Sequence, residues 1–353
     1  MPNRSTGVIP RLRERTRRIL VRRARQFLKR PNDGIIVSRA NPPHPDLSGA
    51  FRFFAVLGTW MEQDVVEATV RNAFAQGAEE VYLVDNASTD ATVPRALAAG
   101  ATLAETWDSP VYEERVRILL MNDVVARVSL ASGAEHVWWL WLDADEFPEG
   151  PGGTTVARYL ATLDRRFRMV GSTYYSHFPS DEPRYIPGFH PLDFQPLCER
   201  YVPERPRHCS QPHWKHPLQR FDRHGPFLLA TGGFHSATLR TRDTLFEPRG
   251  GIVTHHVPYR DEPTTRARLE RLGGDAGRNG ANDAIGNTEI GRRLRSLDAV
   301  YDGRWGDVDP LVTKDTGSGV HPVAWSGAPS ARWYTPDDLR RARLAGSPAR
   351  RGS

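Results

Sequence analysis

The chain has 353 residues, 39% of them hydrophobic, enough for one large α/β domain or two ordinary ones with a substantial core. Its net charge of +6 sits at the start: residues 1–49 carry 12 Lys and Arg against 3 Asp and Glu, and the rest carries 36 against 39, so the body is slightly acidic and nucleic acid is excluded as its partner. No apolar run reaches the roughly 20 residues of a membrane helix and no secretory pattern precedes residue 50, which implies a cytoplasmic protein.

In chain order, residues 11–30 place Leu12, Ile19, Leu20, Phe27 and Leu28 at helical spacing, with Arg11, Arg15, Arg18, Arg22 and Arg25 largely around the other side. Such a basic amphipathic helix either makes a peripheral contact with the inner face of a membrane or is a solvated or docked helix. Asn41 to Pro45 reads as a linker. From residue 52 short apolar runs alternate with helical stretches, the pattern of βαβ units on a largely parallel sheet. The strands expected are Phe53 to Leu57, Val81 to Val84, Ala101 to Ala104 and the fully apolar Val137 to Leu142. Helices are expected at Val65 to Phe74, Thr92 to Ala99 and Tyr112 to Leu130. After Pro148 the chain turns rich in Pro, Arg, His and aromatics, with weaker strands at Met169 to Tyr175, Phe227 to Thr231 and Gly251 to Val257 and a helix at Thr264 to Leu272. The organisation expected is therefore a basic segment at 1–49, an α/β domain at 50–260 divided near 148 into two halves, and a helical or irregular extension at 261–353.

Two clusters carry chemistry. The second strand ends in Asp85-Asn86-Ala87-Ser88-Thr89-Asp90, short polar side chains where a parallel strand delivers its carboxyl end, the edge at which α/β sheets bind ligands. The same residue types also cap helices. The apolar strand His136 to Leu142 then runs into Asp143, Asp145 and Glu146. Three carboxylates in four residues repel one another unless a cation sits between them, and oxygen ligands of this kind suit Mg²⁺ or Mn²⁺.

The ordered pair, a strand with Asp-Asn-Ala-Ser-Thr-Asp and a helix, then a strand with Asp-Ala-Asp-Glu-Phe, resembles the family 2 glycosyltransferases with their GT-A fold, over roughly residues 52 to 260. That resemblance implies a Rossmann-like, mixed and mainly parallel sheet flanked by helices, a nucleotide diphosphate sugar donor, a divalent metal, the acid motif known as DXD, and inversion at the anomeric carbon. It makes 50–260 a catalytic domain, with 50–148 its nucleotide-sugar half and 149–260 its acceptor half, and its acceptor would be a saccharide, lipid-linked or small-molecule hydroxyl. Thr59 and Glu62 follow strand one where the family's nucleotide-facing loop lies. Asp85 resembles the residue that reads the nucleobase, with Asn86 and Asp90 beside it. Arg115 and Asn122 on the long helix match polar positions before the metal strand. Asp143, Asp145 and one of two adjacent histidines, His256, four residues before Arg260, would hold the metal. The family's usual base pair is absent. Glu146 and His235 are candidates for the base, and Asp181, Glu182 and Asp193 lie in the acceptor half.

Cys198, His208, Cys209, His213, His216 and His224 crowd one Pro-rich stretch with a weak zinc-like spacing. Two other classes fit parts of the sequence. A nucleotidyltransferase would also place carboxylate-bound Mg²⁺ beside a nucleotide, but Gly58-Thr59-Trp60-Met61-Glu62 lacks the glycines and lysine of its phosphate loop. A non-catalytic carbohydrate-binding or membrane-surface scaffold would work through the basic helix and has no need of an intact acidic cluster.

Overall fold

The computed structural model describes residues 51–109, 113–180, 185–199, 214–225, 227–230, 243–247, 250–273, 290–309, 322–325, 327, 329 and 331–346. The basic segment at 11–30 and His235 lie outside them, as do Asp181, Glu182, His208, Cys209 and His213. Among the described residues no helix is long and apolar enough to cross a membrane.

The fold is α/β, a mixed sheet flanked by helices. Its first half consists of β1 (Arg52–Thr59), α1 (Val66–Ala75), β2 (Glu80–Asn86), α2 (Thr92–Ala98), β3 (Thr102–Trp107), α3 (Glu114–Ala131) and β4 (His136–Asp143). The strands lie in the order β3, β2, β1, β4, all parallel. Helices cover both faces, so β1 and β4 are buried nearly throughout and read as continuous apolar runs. The two-residue period sorts each strand between two cores. Phe53, Ala55 and Leu57 of β1 join Trp138, Leu140 and Leu142 of β4 on the face under α1. Phe54 and Val56 join Val137, Trp139 and Trp141 on the other face, against Ile118, Met121, Val124 and Val125 of α3. The Trp139 indole donates to Ser129 Oγ at 2.8 Å, which satisfies its N–H in that core.

The second half comprises β5 (Glu146–Glu149), α4 (Val156–Ala161), β6 (Met169–Phe178), β7 (Leu197–Cys198), β8 (Trp214–Asp222), β9 (Thr244–Leu245) and β10 (Ile252–His256). β8 pairs antiparallel with β4 on one side and β6 on the other, which continues the sheet. β10 pairs parallel with β6 and antiparallel with β5. Beyond it come α5 (Glu262–Gly273), α6 (Leu297–Tyr301), β11 (Val323–Ala324) and α7 (Pro336–Gly346). Asp193 anchors this end, accepting from Arg332 at 2.6 and 3.1 Å and from the Tyr334 hydroxyl.

Several elements depart from the sequence pattern. β3 extends to Trp107, past the expected Ala104, because Glu105 and Thr106 sit on an edge strand where polar side chains reach water while the backbone pairs with Val84 and Asp85. β8 falls in the Pro-rich stretch, where no strand is expected. Pro217 is tolerated because the register with β6 slips there: Val170 faces Leu218 and Ser172 faces Lys215, leaving one extra residue on β8 as a bulge. Phe227 to Leu229 form no strand, and only Ala230 makes an isolated bridge. Of the zinc-like residues inside the described segments, Cys198 and His216 are buried in β7 and β8, and His224 is exposed in a turn.

Candidate active site

A cavity of about 280 Å³ opens at the carboxyl ends of β1, β2, β3 and β4, where the chain leaves each parallel strand. The turn after β4 is pinned from two directions. Thr69 of α1 donates its hydroxyl to the Ala144 carbonyl, and the Val257 N–H at the end of β10 donates to the Asp145 carbonyl at 2.9 Å. Asp143 and Asp145 therefore enter the cavity from a fixed backbone, and both line it.

The register of β10 against β5 sets His256 opposite Glu146, beside the acidic turn. Its Nε2 is 3.4 Å from Asp145 Oδ2 and its Nδ1 is 3.3 Å from Ser176 Oγ. Alternation along the strand sends His255 the other way, to His177 at 2.9 Å, so the two neighbours separate as strand geometry requires. Burial outweighs the attraction of Asp145 and holds the His256 imidazole down at about 4, neutral at physiological pH with a ring nitrogen able to ligate.

Protein cations surround the carboxylates. Asp143 accepts from Arg117 Nη1 at 2.5 Å and from Lys215 Nζ at 3.1 Å. Burial opposes its ionisation, but Arg117 and then Lys215 prevail and hold its carboxyl below the usual range. Asp145 accepts from Arg268 Nη2 at 2.8 Å, and Arg268 also donates to Glu62 at 3.0 Å. Glu62 accepts in turn from Arg260 at 2.8 Å, whose Nε is 3.0 Å from Asp64. A chain of alternating charge, Asp64, Arg260, Glu62, Arg268, Asp145, thus binds the turn after β1 to α5 and the acidic turn. Among the described residues no three His, Cys, Asp or Glu side chains converge as a metal-binding group. The pair Asp145 and His256 has the spacing of neighbouring ligands on one Mg²⁺ or Mn²⁺, whose bonds run about 2.1 Å. Asp143, expected as a third ligand, instead holds Arg117 and Lys215.

The other expected residues divide. Thr59, Glu62 and Asn86 line the cavity; Asp85, Asp90 and Asn122 do not. Asp85 is 1% exposed and accepts from Thr59 Oγ1, Ser88 Oγ and Ser88 N–H, each at 2.7 Å, so its carboxylate shapes the turn behind Thr59 instead of facing a base. Asn86 clamps Ser109, donating to its carbonyl at 3.1 Å and accepting from its N–H at 2.8 Å, which fixes the exit of β3 beside Trp107. Asp90 accepts from the Thr92 N–H at 2.9 Å and steadies the start of α2. Asn122 is bonded both ways to Ala230, at 3.2 and 3.0 Å, and serves the packing of α3.

Two corrections bear on chemistry. Arg115 is exposed on α3, and Arg117 is the arginine that enters the cavity. Arg117 stands four residues before Met121 and eight before Val125, on the buried stripe, and a charge on that stripe was the signal for it. Glu146 is fully buried, does not line the cavity, and accepts through Oε1 from Lys215, while Oε2 has no hydrogen-bond partner among the described residues. Burial pushes its carboxyl up to about 8 against the pull of Lys215. Lacking access to the cavity, it is not placed as the acceptor's base.

Lys215, Arg268 and Arg271 also line the cavity and were not read from the sequence: Lys215 hid in the Pro-rich stretch, and the arginines of α5 look like an ordinary solvated face. Two backbone positions adjacent in sequence to lining residues, Met61 (φ 60°) and Ala87 (φ 42°), take the left-handed conformation without being glycine. Such strain costs on the order of 1 kcal/mol or more per residue. It is held by bonds from Met61 N–H to Ser88 Oγ at 2.8 Å and from Glu62 N–H to Thr92 Oγ1 at 2.7 Å.

No family model matches the chain, and no curated protein matches it. Among solved structures, glucosyl-3-phosphoglycerate synthase from Mycobacterium tuberculosis in complex with Mn²⁺, uridine diphosphate and glucosyl-3-phosphoglycerate is similar at 15% identity over 83% of this chain and 95% of that one, with a TM-score of 0.33. The same enzyme in complex with phosphoglyceric acid is similar at 20% identity over 36% of this chain and 45% of that one, TM-score 0.25. A mycobacterial protein is similar at 22% identity over 37% and 43%, TM-score 0.25. The chain spans less than half the length of the first solved structures it matches.

Proposed function

We propose that the chain is a glycosyltransferase that moves a sugar from a nucleotide diphosphate donor to an acceptor hydroxyl with the help of a divalent ion. The observation that carries this reading is the meeting of Asp143, Asp145 and His256 in one cavity with the turn after β1, at the carboxyl ends of parallel strands. Asp145 and His256 would hold Mn²⁺ or Mg²⁺, and the ion, when bound, supplies positive charge to a diphosphate leaving group. The chain's own cations add to that charge. Lys215 and Arg117 lie on Asp143 with their ammonium and guanidinium at the cavity wall, ready to receive phosphate oxygens as the sugar departs. Thr59, Trp60 and Glu62 form the wall on which the nucleotide would lie.

Among the described residues each carboxylate lining the cavity is bonded to an arginine or lysine: Glu62, Glu114, Asp143 and Asp145. None stands as the general base that inversion requires, so inversion rests on the sequence resemblance alone. The acceptor, whether saccharide, lipid-linked or small molecule, belongs to the same reading. The test is nucleotide release from uridine, guanosine and adenosine diphosphate sugars with and without Mn²⁺. Release should require the ion and fall at least 100-fold in Asp145→Asn. Turnover by that variant at the unaltered rate would end the proposal. Release of pyrophosphate from a nucleoside triphosphate would replace it with nucleotidyl transfer.

A further inference from the structure

Arg117 and Arg268 each hold two carboxylates, and Lys215 holds the Asp143 carboxylate and the Glu146 carboxyl group. Arg271, three residues beyond Arg268 on the same face of α5, also lines the cavity, yet among the described residues it has no ion pair. Its Nη2 donates to the carbonyls of Trp60 at 3.2 Å and Met61 at 3.4 Å. Its guanidinium carbon lies 5.1 Å from the centre of the Trp60 ring, and its Nε has no hydrogen-bond partner among the described residues. Burial lowers the pKa of the group, as do Arg268 and Arg260, against Glu62 and Asp90. A cation drawn partly out of water beside other cations, without a counter-ion, is costly until an anion arrives. The planar fork of arginine matches phosphate oxygens, and stacking on an indole holds that fork in place beforehand.

We infer that Arg271 binds a phosphate oxygen of the donor's diphosphate, with the substrate supplying the counter-ion that the described residues do not. The inference rests on the glycosyltransferase reading and deepens it. The donor is the source favoured because Trp60 and Met61, which Arg271 holds, belong to the same turn as Thr59 and Glu62. A purely structural role is the competing account, since the two carbonyl bonds steady the left-handed turn at Met61.

The experiment titrates the full chain with UDP, GDP and ADP by calorimetry, then compares the tightest of them with its nucleoside. Arg271→Gln should weaken the diphosphate by 10-fold or more, as expected for loss of a hydrogen bond to a charged group. The nucleoside should stay within twofold, and Arg271→Lys should recover part of the loss. The salt dependence of diphosphate binding should flatten in Arg271→Gln. Equal losses for diphosphate and nucleoside would make Arg271 only a brace for the turn and overturn the inference. So would unchanged diphosphate binding, and if inorganic phosphate binding fell at the same time, the oxyanion would belong to the acceptor. If the wild-type chain binds none of the three diphosphates, the donor reading itself falls, an outcome distinct from a variant that binds as well as wild type.

Discussion

Glu146→Gln separates the architecture of the acidic turn from its chemistry. In the folded chain burial raises the Glu146 carboxyl from 4.5 to about 8, against the pull of Lys215. The unfolded chain releases this proton near its ordinary value, so between pH 4.5 and 8 the native state holds more protons and stability falls as pH rises. From pH 5 to pH 7 nearly one proton separates the two states. At 1.36 kcal/mol per pH unit the loss from this group is about 2 to 3 kcal/mol. Glutamine has the same shape and no titration, so Glu146→Gln should lack that loss. The assay is urea unfolding of both proteins at pH steps from 5 to 8, with the difference in unfolding free energy plotted against pH. Subtraction removes the shared contributions of histidines and other carboxylates. A difference that stays constant across this range would refute the account of Glu146 as a buried, proton-holding partner of Lys215. As Glu146 does not line the cavity, the variant should also bind the diphosphate within a few-fold of wild type.

Two further perturbations test the surroundings. A Cβ at Gly58 would come within 3.0 Å of Arg117 Cδ and Nη1 and 3.2 Å of Met121 Sδ, so Gly58→Ala should push Arg117 off Asp143. Diphosphate binding should weaken about 10-fold through the lost charged contact, and calorimetry that finds no change would show that Arg117 does not face the ligand. His190 is fully buried, and burial lowers its imidazole from 6.5 to about 3. The native state therefore refuses a proton that the unfolded chain accepts below pH 6.5, and stability is lost as pH falls, by about 2 kcal/mol from this group between pH 7 and 5. His190→Asn can keep the acceptor for the Leu192 N–H, bonded to the imidazole at 3.3 Å, and should flatten the acid side of the unfolding curve by that amount. An unaltered acid limb would contradict the neutral, buried state assigned to His190.

The first half of the fold was legible because its information is local. β1 and β4 are buried on both faces, so their residues are apolar almost without interruption, and β2 and β4 each end where a polar cluster begins. The second half hid its central strand. β8 joins β4 to β6, but Pro217 sits in it at a bulge, and a proline in a Pro-rich stretch reads as loop when the partner strands are unknown. β3 was cut short for a related reason: an edge strand tolerates Glu105 and Thr106, which period and hydrophobicity score as the end of a strand.

The site was legible by motif and less so by partner. Asp143 and Asp145 announce themselves as neighbours in sequence; strand alternation allows only one of His255 and His256 at the site, and the spacing to Arg260 in the family resemblance picks His256. The cations that hold these carboxylates are remote. Lys215 is 72 residues from Asp143, Arg268 is 123 from Asp145, and Arg260 is 198 from Glu62. No local pattern marks which arginine of a charged helix turns inward; the topology decides it, by laying α5 across the turn after β1. The repulsion among Asp143, Asp145 and Glu146 requires positive charge nearby but is indifferent to its source. The sequence suggested a metal ion as that charge. In the fold, Arg117, Lys215 and Arg268 supply much of it, and Glu146 meets the demand by holding its proton up to about 8. Carboxylate density therefore locates the site, while the identity of the cation it serves must be decided by groups such as His256, whose neutral nitrogen beside Asp145 is suited to an ion and is a poor counter-ion for a carboxylate.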